Sequence, residues 1–285
     1  MRISEIGIGR FVKESKSGII FRIAGQNHYE EGITTLLSEN VLGVRAFDAA
    51  ESNDCAGGYL YEANSRYGNN HYIDSNIHQW LNSSEDDWYS PTHKEDMPPI
   101  SSNLRYGEFP YDTASGFLSN FSPQFCKALA WTDIPVLTRV GRGALEISKV
   151  WASVFLPSRT EMNKGSELGI PEGKVLPIFY DHYIFKAKPS SEQLALYGRA
   201  WNPEEPEKNL YFDIPQMYDP KFGWWYWMRT PNALYSFLTR VMSPYGSVSY
   251  TYANNDDVGF RPLINLSNDT NVIDIGVESP LYLIV

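Results

Sequence analysis

Trp224-Trp225-Tyr226-Trp227-Met228-Arg229-Thr230-Pro231 is the stretch that decides how the rest of the chain is read. Four consecutive aromatics, stopped by a proline, read as a strand. Side chains alternate between the two faces of a strand, so Trp225 and Trp227 share one face and Trp224 and Tyr226 take the other. Aromatic bulk on both faces needs cover on both, which puts this strand inside the core. Arg229 closes the run. A guanidinium beside tryptophans can stack on them and bond to carboxylates or main-chain carbonyls, so Arg229, and Arg261 in a similar place, read as locks on the core.

Working outward, Phe237–Val241, Val248–Tyr252 and Gly259–Ile264 read as strands, and the apolar ending Leu281-Tyr282-Leu283-Ile284-Val285 as a strand docked in a sheet. Residues 163–222 are rich in Gly, Pro and acids and have no sustained period, as expected of a long insertion. Before it, Trp151–Phe155 reads as a strand. Leu156–Met162 reads as a turn entering a helix, with Ser158 and Glu161 at capping-box spacing. Ser122–Ala130 reads as a short helix with Pro123 in its first turn. A second insertion covers about 83–120, beginning with a polar surface loop at 83–99. Residues 74–82 read as a helix capped by Asp74 or Ser75, with Ile77, Trp80 and Leu81 on one face. Phe11–Lys13, Ile19–Ile23 and Thr34–Ser38 read as strands broken by Gly18, Gly25 and Gly32. Strands first, helices in the middle and strands last predict one α+β domain over residues 1–285, its terminal strands paired in one sheet.

The composition, 42% hydrophobic and 20% charged, is that of a folded globular chain. The net charge of −10 argues against nucleic-acid binding and against adhesion to an anionic membrane. The opening MRISEIGIGRFVKESKSG has no apolar signal core, and no apolar run reaches the length of a membrane span; the expectation is a protein made in a cytosol without membrane insertion. Cys55 and Cys126 cannot form a disulfide scaffold and there is no C-x-x-C; they are either one bridge or two independent thiols.

No Gly-x-Ser-x-Gly, Walker loop or His-Glu-x-x-His is present, and Gly141-Arg142-Gly143 is too short for a dinucleotide loop. The pairs Asp86/Asp87 and Glu204/Glu205 lie in polar stretches as solvated acids. His78 sits beside Trp80 with no second ligand at metal spacing, His71 being seven residues earlier, and His93 lies in an acidic loop facing solvent. The expectation is therefore no catalytic residue, no metal and no cofactor. What stands out is aromatic content: fourteen of residues 211–260 are aromatic, against 14% of the chain. Tyr245, Tyr250 and Tyr252 flank Gly246 and the polar turn Asn254-Asn255-Asp256-Asp257, with Tyr250 and Tyr252 on one face. Tyrosines beside Ser, Asn and Asp suit carbohydrate or protein recognition; they suit packing or a subunit interface too. The candidate ligand-binding residues are Tyr235, Tyr245, Tyr250, Tyr252, Asn254, Asn255 and Asp256. The acidic turn could also offer oxygens to calcium, although Asn and Asp are ordinary turn residues.

Four segments in order carry a resemblance: Gly9-Arg10-Phe11 through Ile20-Phe21-Arg22-Ile23 to Thr35-Leu36-Leu37-Ser38-Glu39; Ser75-Asn76-Ile77-His78-Gln79-Trp80-Leu81-Asn82; Val154-Phe155-Leu156-Pro157-Ser158-Arg159-Thr160-Glu161; and Trp224 through Pro231, closed by Gly259-Phe260-Arg261-Pro262-Leu263. The series resembles a domain family of unassigned function found in low-GC Gram-positive bacteria and their phages. It departs from that pattern at His78, where the family has arginine, and in an opening strand without the family's tryptophan. The resemblance implies a C-type-lectin-like fold, of the type shared with formylglycine-generating enzymes and phage tropism proteins: mixed antiparallel sheets, two or three short helices and long loops. The oxidase branch of that fold needs cysteines late in the chain, and both lie before residue 127 here. The implied function is a non-catalytic recognition module of a phage or phage-like particle, a tail-fibre or baseplate receptor-binding protein. It would be a homo-oligomer in the virion, released by lysis, binding a bacterial surface glycan or protein beside other virion subunits. The alternatives are a structural virion protein, as capsid decoration or tail component, and a host enzyme or regulator.

Overall fold

The structure is a computed structural model and describes residues 1–51, 61–140, 144–180, 185–187, 224–276 and 281–285. Cys55, Gly141–Gly143, Glu204/Glu205 and most of the insertion expected at 163–222 lie outside the described residues. Strands β1 (Phe11–Lys13), β2 (Ile20–Gln26), β3 (Ile33–Ser38) and β4 (Gly43–Val44) come first. Helices α1 (Tyr61–Tyr67), α2 (Asn76–Leu81) and α3 (Pro123–Ala128) follow. The remaining strands are β5 (Thr132–Val140), β6 (Ala144–Ala152), β7 (Val154–Phe155), β8 (Tyr226–Pro231), β9 (Leu238–Met242), β10 (Val248–Tyr252), β11 (Gly259–Phe260), β12 (Leu263–Ser267), β13 (Val272–Asp274) and β14 (Leu281–Ile284). The fold is mixed α+β, mostly sheet, with three short helices among the described residues.

The strands form a seven-stranded sheet ordered β13-β14-β1-β2-β3-β12-β7, a five-stranded sheet ordered β10-β9-β8-β11-β4, and a β5-β6 ribbon. β1 pairs in parallel with β14, Phe11 opposite Leu281, so the terminal strands do share a sheet. One apolar cluster, drawing on residues from Ile3 to Ile284, fills the space between the layers. Every residue of β8 is buried, as the doubly covered reading requires. Trp227 donates its indole N–H to Arg45 O at 2.7 Å and meets the Phe47 ring edge-on at 5.6 Å, which satisfies its one polar atom inside the core.

Ser75, not Asp74, caps α2, accepting from His78 N; Asp74 instead pairs with His71 Nδ1 at 2.5 Å. The last residue of that motif has a structural task. The Asn82 amide accepts from Ser153 N and Val154 N, both at 3.1 Å, and donates to Val154 O at 2.7 Å. It spans the break at which β6 leaves its ribbon partner and β7 joins β12. The expected continuous strand Trp151–Phe155 is therefore two strands in two sheets. The long β5–β6 hairpin was not foreseen, because Pro135 interrupts its first strand and hides the pattern.

Two further expectations are corrected. The Ser158/Glu161 capping box forms, with Ser158 N to Glu161 Oε2 at 2.9 Å and Glu161 N to Ser158 Oγ at 3.1 Å, but no helix follows. The chain makes a single turn and Asn163 leaves it at φ 55°. The Glu161 carboxylate is also held by Arg229, which fixes the turn in place. The polar loop at 83–99 is irregular but not wholly superficial: Trp88 is buried and stacks on Tyr111 at 5.4 Å and 7°.

Arg229 is fully buried. It donates to Glu161 through Nη1 (2.7 Å) and Nη2 (2.5 Å), to Leu156 O (2.7 Å) and to Pro135 O (3.0 Å), and lies 3.5 Å from Glu172 Oε1. Glu172 in turn accepts from Leu137 N at 3.1 Å and from the Thr230 hydroxyl. Tyr29 donates to Glu161 Oε1 at 2.7 Å. Four separate stretches of chain, its own strand included, thus meet on one cation, and Tyr29 joins them through Glu161. Arg261 does the same for the other end of the sheet, donating to Ser38 O (2.9 Å) and Glu39 O (3.3 Å). Beside it, Gly259 has no room for a side chain. A Cβ there would sit 2.2 Å from Val41 Cγ1 and 2.8 Å from Trp225 O, which explains the glycine of the Gly-Phe-Arg-Pro segment.

Removing one partner of a buried ion pair leaves the other charge uncompensated, at a cost of about 3–5 kcal/mol. Glu161→Leu is expected to lower unfolding free energy in urea by that amount, and Glu161→Leu with Arg229→Met to recover part of it. A single variant as stable as the parent would remove Arg229 from its central role.

Candidate functional site

The β9–β10 hairpin lies at the free edge of the five-stranded sheet, and its strands pair Val248 with Met242 through Tyr252 with Leu238. At the Leu238–Tyr252 end the chain passes the C-terminus of α1. Tyr67 and Tyr252 stack with centroids 4.1 Å apart and planes 12° apart. Phe237 meets both rings, at 5.6 and 6.0 Å, and Tyr235 meets Phe237 at 5.5 Å. The guanidinium of Arg105 lies 4.6 Å over Tyr252, and that of Arg66 lies 5.2 Å over Tyr67. Against this strip opens a groove of about 520 Å³, within the range of small-ligand sites. Its walls come from Ser65–Tyr67, Ser102–Arg105, Tyr252, Asn254 and Ala50.

Backbone pairing makes the walls one unit. Phe47 N and Asp48 N both donate to Ala253 O, at 2.9 and 3.0 Å, Asn254 N donates to Tyr67 O at 2.9 Å, and Arg105 N donates to Asn254 O at 2.9 Å. Gly68, at φ +78°, permits the crossing: a Cβ there would lie 2.6 Å from Asp48 O. The Asp256 carboxylate is buried and accepts from the amides of Tyr106 (3.0 Å), Glu108 (2.8 Å) and Phe109 (3.0 Å), holding the loop that carries Arg105. Asn255 Nδ2 bonds to Thr251 Oγ1 at 3.1 Å. Burial pushes the Asp257 carboxyl up to about 6, with the nearby charge of Asp256 adding to the rise and Arg105 opposing it.

Of the residues singled out in sequence, Tyr252 and Asn254 line the groove, and Tyr235 adjoins its aromatic strip. Tyr250 projects from β10, 56% exposed, with Arg240 lying 5.7 Å over its ring. Tyr235 and Tyr245 are 43% and 46% exposed, but Tyr245 stands in the turn at the far end of the hairpin. Asn255 and Asp256 sit behind the surface with their side chains bonded to the protein. Sequence reading missed Arg66, Tyr67 and Arg105. Their trace was two Arg-Tyr dipeptides, Arg66-Tyr67 and Arg105-Tyr106, separated by 37 intervening residues that only the fold removes.

Behind the groove lies a buried acidic group. Asp48 accepts from Asn76 N (3.1 Å) and Asn69 N (3.2 Å), and burial, with the charges of Glu51 and Asp96, holds its carboxyl well above the usual range. His93 is not solvated as expected but bonded through Nε2 to Glu51 Oε1 at 2.6 Å, a contact that raises it to about 9. His78, partly buried beside Tyr72, is pushed down to about 4 by desolvation and accepts from Asn82 Nδ2 as a neutral ring. The half-buried Cys126 thiol contacts Leu118 O at 3.6 Å, and burial raises its pKa. Among the described residues no group of three or more His, Cys, Asp or Glu side chains is arranged to hold a metal, and no helix is long and apolar enough to cross a membrane.

The molecule is thus a two-sheet α+β protein bearing an arginine-flanked aromatic groove where its late strands meet α1. It belongs to the family described as "Domain of unknown function (DUF6273)", whose model matches residues 31–268 and so encloses the groove and all of the Arg229 network except Tyr29. No curated protein and no solved structure matches it.

The His93–Glu51 contact makes a pH prediction. The folded state keeps the His93 proton to about 9 while the unfolded chain releases it near the ordinary 6.5, so the folded state binds more protons between those values. The stabilisation is whole below pH 6.5 and is lost as pH rises through 9. His93→Gln is expected to flatten the fall in melting temperature over this window; an unchanged slope would show that the contact does not hold in solution.

Proposed function

We propose that the protein is a non-catalytic recognition module with a C-type-lectin-like arrangement, carried by a phage or phage-like particle and binding a bacterial surface glycan or protein. The observation that carries the reading is the exposure of tyrosines on the late hairpin, Tyr235, Tyr245 and Tyr250, above a scaffold fixed by buried ion pairs. Tyrosine offers contact area and a hydroxyl at low entropic cost, so rings displayed on a rigid edge are suited to a partner. The paired terminal strands, the mixed sheets and the three short helices agree with the lectin-like arrangement. Repeated copies on one particle would turn weak single sites into strong attachment.

A second reading, a structural virion component, is favoured by the β5–β6 ribbon, where Ile147 and Trp151 are exposed in the manner of a subunit contact.

Tyr250→Ala separates the two. Exposed substitutions change stability by about 0.5 kcal/mol or less, whereas loss of an aromatic anchor costs about 2 kcal/mol of binding, or some thirtyfold. The expected outcome is binding to host cells weakened by that factor, with melting temperature and particle assembly unchanged. Unaltered cell binding in Tyr250→Ala, with assembly lost in Trp151→Ala, would favour the structural component.

A further inference from the structure

The β5–β6 ribbon has one edge that the described structure leaves unpaired. Its strands run nine residues each without a bulge, Thr132 opposite Ala152 through Val140 opposite Ala144. The far side of β5 is taken: Pro135 O accepts from Arg229 at 3.0 Å, and Leu137 N donates to Glu172 at 3.1 Å. The main-chain groups of Pro135 and Leu137 therefore point away from β6. In an antiparallel pair, residues directly opposite share this sense, so Lys149 and Ile147 point theirs away from β5. Leu145 and Trp151 follow by the period of two. Among the described residues no partner reaches the outward N–H or C=O of Leu145, Ile147, Lys149 or Trp151.

Proteins keep a sheet edge short, or guard it with charge, proline or a bulge. The edge strands β13, β7 and β4 have three residues or fewer, and β10 carries Arg240 over Tyr250. β6 has no proline or glycine, and its one cation, Lys149, is drawn back to Asp133 at 3.1 Å. On the same face Ile147 is 45% and Trp151 61% exposed. The strand is also its own complement. A two-fold copy pairs antiparallel about one residue, with opposite side chains on a shared face. Centred on Ser148, the midpoint of β6, the pairing uses the whole strand. Leu145 then faces Trp151 of the second copy and Ile147 faces Lys149, and each such pair exchanges both main-chain bonds, about eight in all. Centred on Lys149, two ammonium groups would oppose each other. Centred on Ile147, Trp151 would run past the end of the strand.

We propose that the protein is a two-fold dimer in which β6 pairs with β6 of a second copy about Ser148, joining the two ribbons into one sheet. The pairing satisfies the outward main-chain groups, and Trp151 against Leu145 covers the apolar face at the seam. It gives the ribbon contact a partner without depending on the structural reading, since a recognition module can be built from dimers too.

The test is sedimentation velocity of the full chain at about 50 μM, where an interface of micromolar dissociation constant is formed. The expected species is a dimer. Ile147→Lys sets like charges opposite each other across the seam and should weaken the dimer about tenfold or more. Ile147→Pro removes an outward N–H that β5 does not use and should leave a monomer. Ile147 is exposed, so an unaltered circular dichroism spectrum keeps folding out of the result. Register is read by oxidative cross-linking. Ser148→Cys should link to its own copy across the axis, while Ile147→Cys and Lys149→Cys link no faster than the parent, which already carries Cys55 and Cys126. A monomeric parent, or a dimer that both Ile147→Lys and Ile147→Pro leave intact, overturns the proposal. Faster linking through Ile147→Cys or Lys149→Cys than through Ser148→Cys overturns the pairing about Ser148. Cell binding and particle assembly are scored apart from the solution dimer, so either functional reading can fail without it.

Discussion

A guanidinium cannot lose its proton inside a protein, so burying Arg229 obliges the chain to bring charge and acceptors to it. Glu161 supplies the charge, and the carbonyls of Pro135 and Leu156 take the remaining donors. Those groups come from the ribbon and from the link after β7, and the cation itself from β8. None can shift without uncovering a charge in a region of low polarity. The network therefore acts as a registration device: hydrophobic burial supplies attraction without direction, and the cation supplies direction. It also explains why a helix start at Ser158 goes no further. The box's own glutamate is recruited sideways, and continuing the helix would have to carry Asn163 and the chain beyond it away from Glu172, which Thr230 and Leu137 require. Burial pushes the Glu172 carboxyl up to about 7, so beside an Arg229–Glu161 pair already formed it serves as a hydrogen-bonding member more readily than as a second counter-ion.

Rigidity at Arg229 is transmitted to the hairpin edge through β8. Its neighbours β9 and β11 are fixed by pairing and by the close approach at Gly259, and β10 hangs from β9 alone. An edge strand with unpaired backbone is an invitation to wrong pairing, and proteins answer it with charge or irregular cover. Here Arg240 reaches across to Glu167, at 2.6 and 2.9 Å, and lies over Tyr250. The edge is thus free in its side chains but not loose in its backbone, which is what a presented tyrosine needs.

Much of this architecture could be read from residue order, because it follows from local chemistry. The aromatic run at 224–227 needs cover on both faces; Ser75 and Ser122 cap helices through their own hydroxyls; the apolar ending needs a sheet. What could not be read depends on distance along the chain. Asn82 bridges a strand break 71 residues later, Asp256 holds a loop about 150 residues earlier, and Trp88 leaves a polar loop to stack on Tyr111. The same holds for the groove. Tyr252 and Asn254 were visible as polar-aromatic neighbours, but their meaning rests on Arg66 and Arg105. His93 shows the converse: an acidic neighbourhood suggested solvent, whereas the nearby acid was a buried one that needed a partner.

A net charge of −10 does not make every part of the surface acidic, since Arg66 and Arg105 both stand in the wall of the groove. At physiological salt the field of an exposed charge fades within about 8 Å, so distant carboxylates scarcely oppose an anion already in the groove. The nearest acids are already committed. Asp256 is spent on three backbone amides, and Asp257, its carboxyl raised to about 6 by burial, feels the charge of Arg105 as an opposing pull. Net charge therefore says little about the field inside the groove, which its own wall residues set.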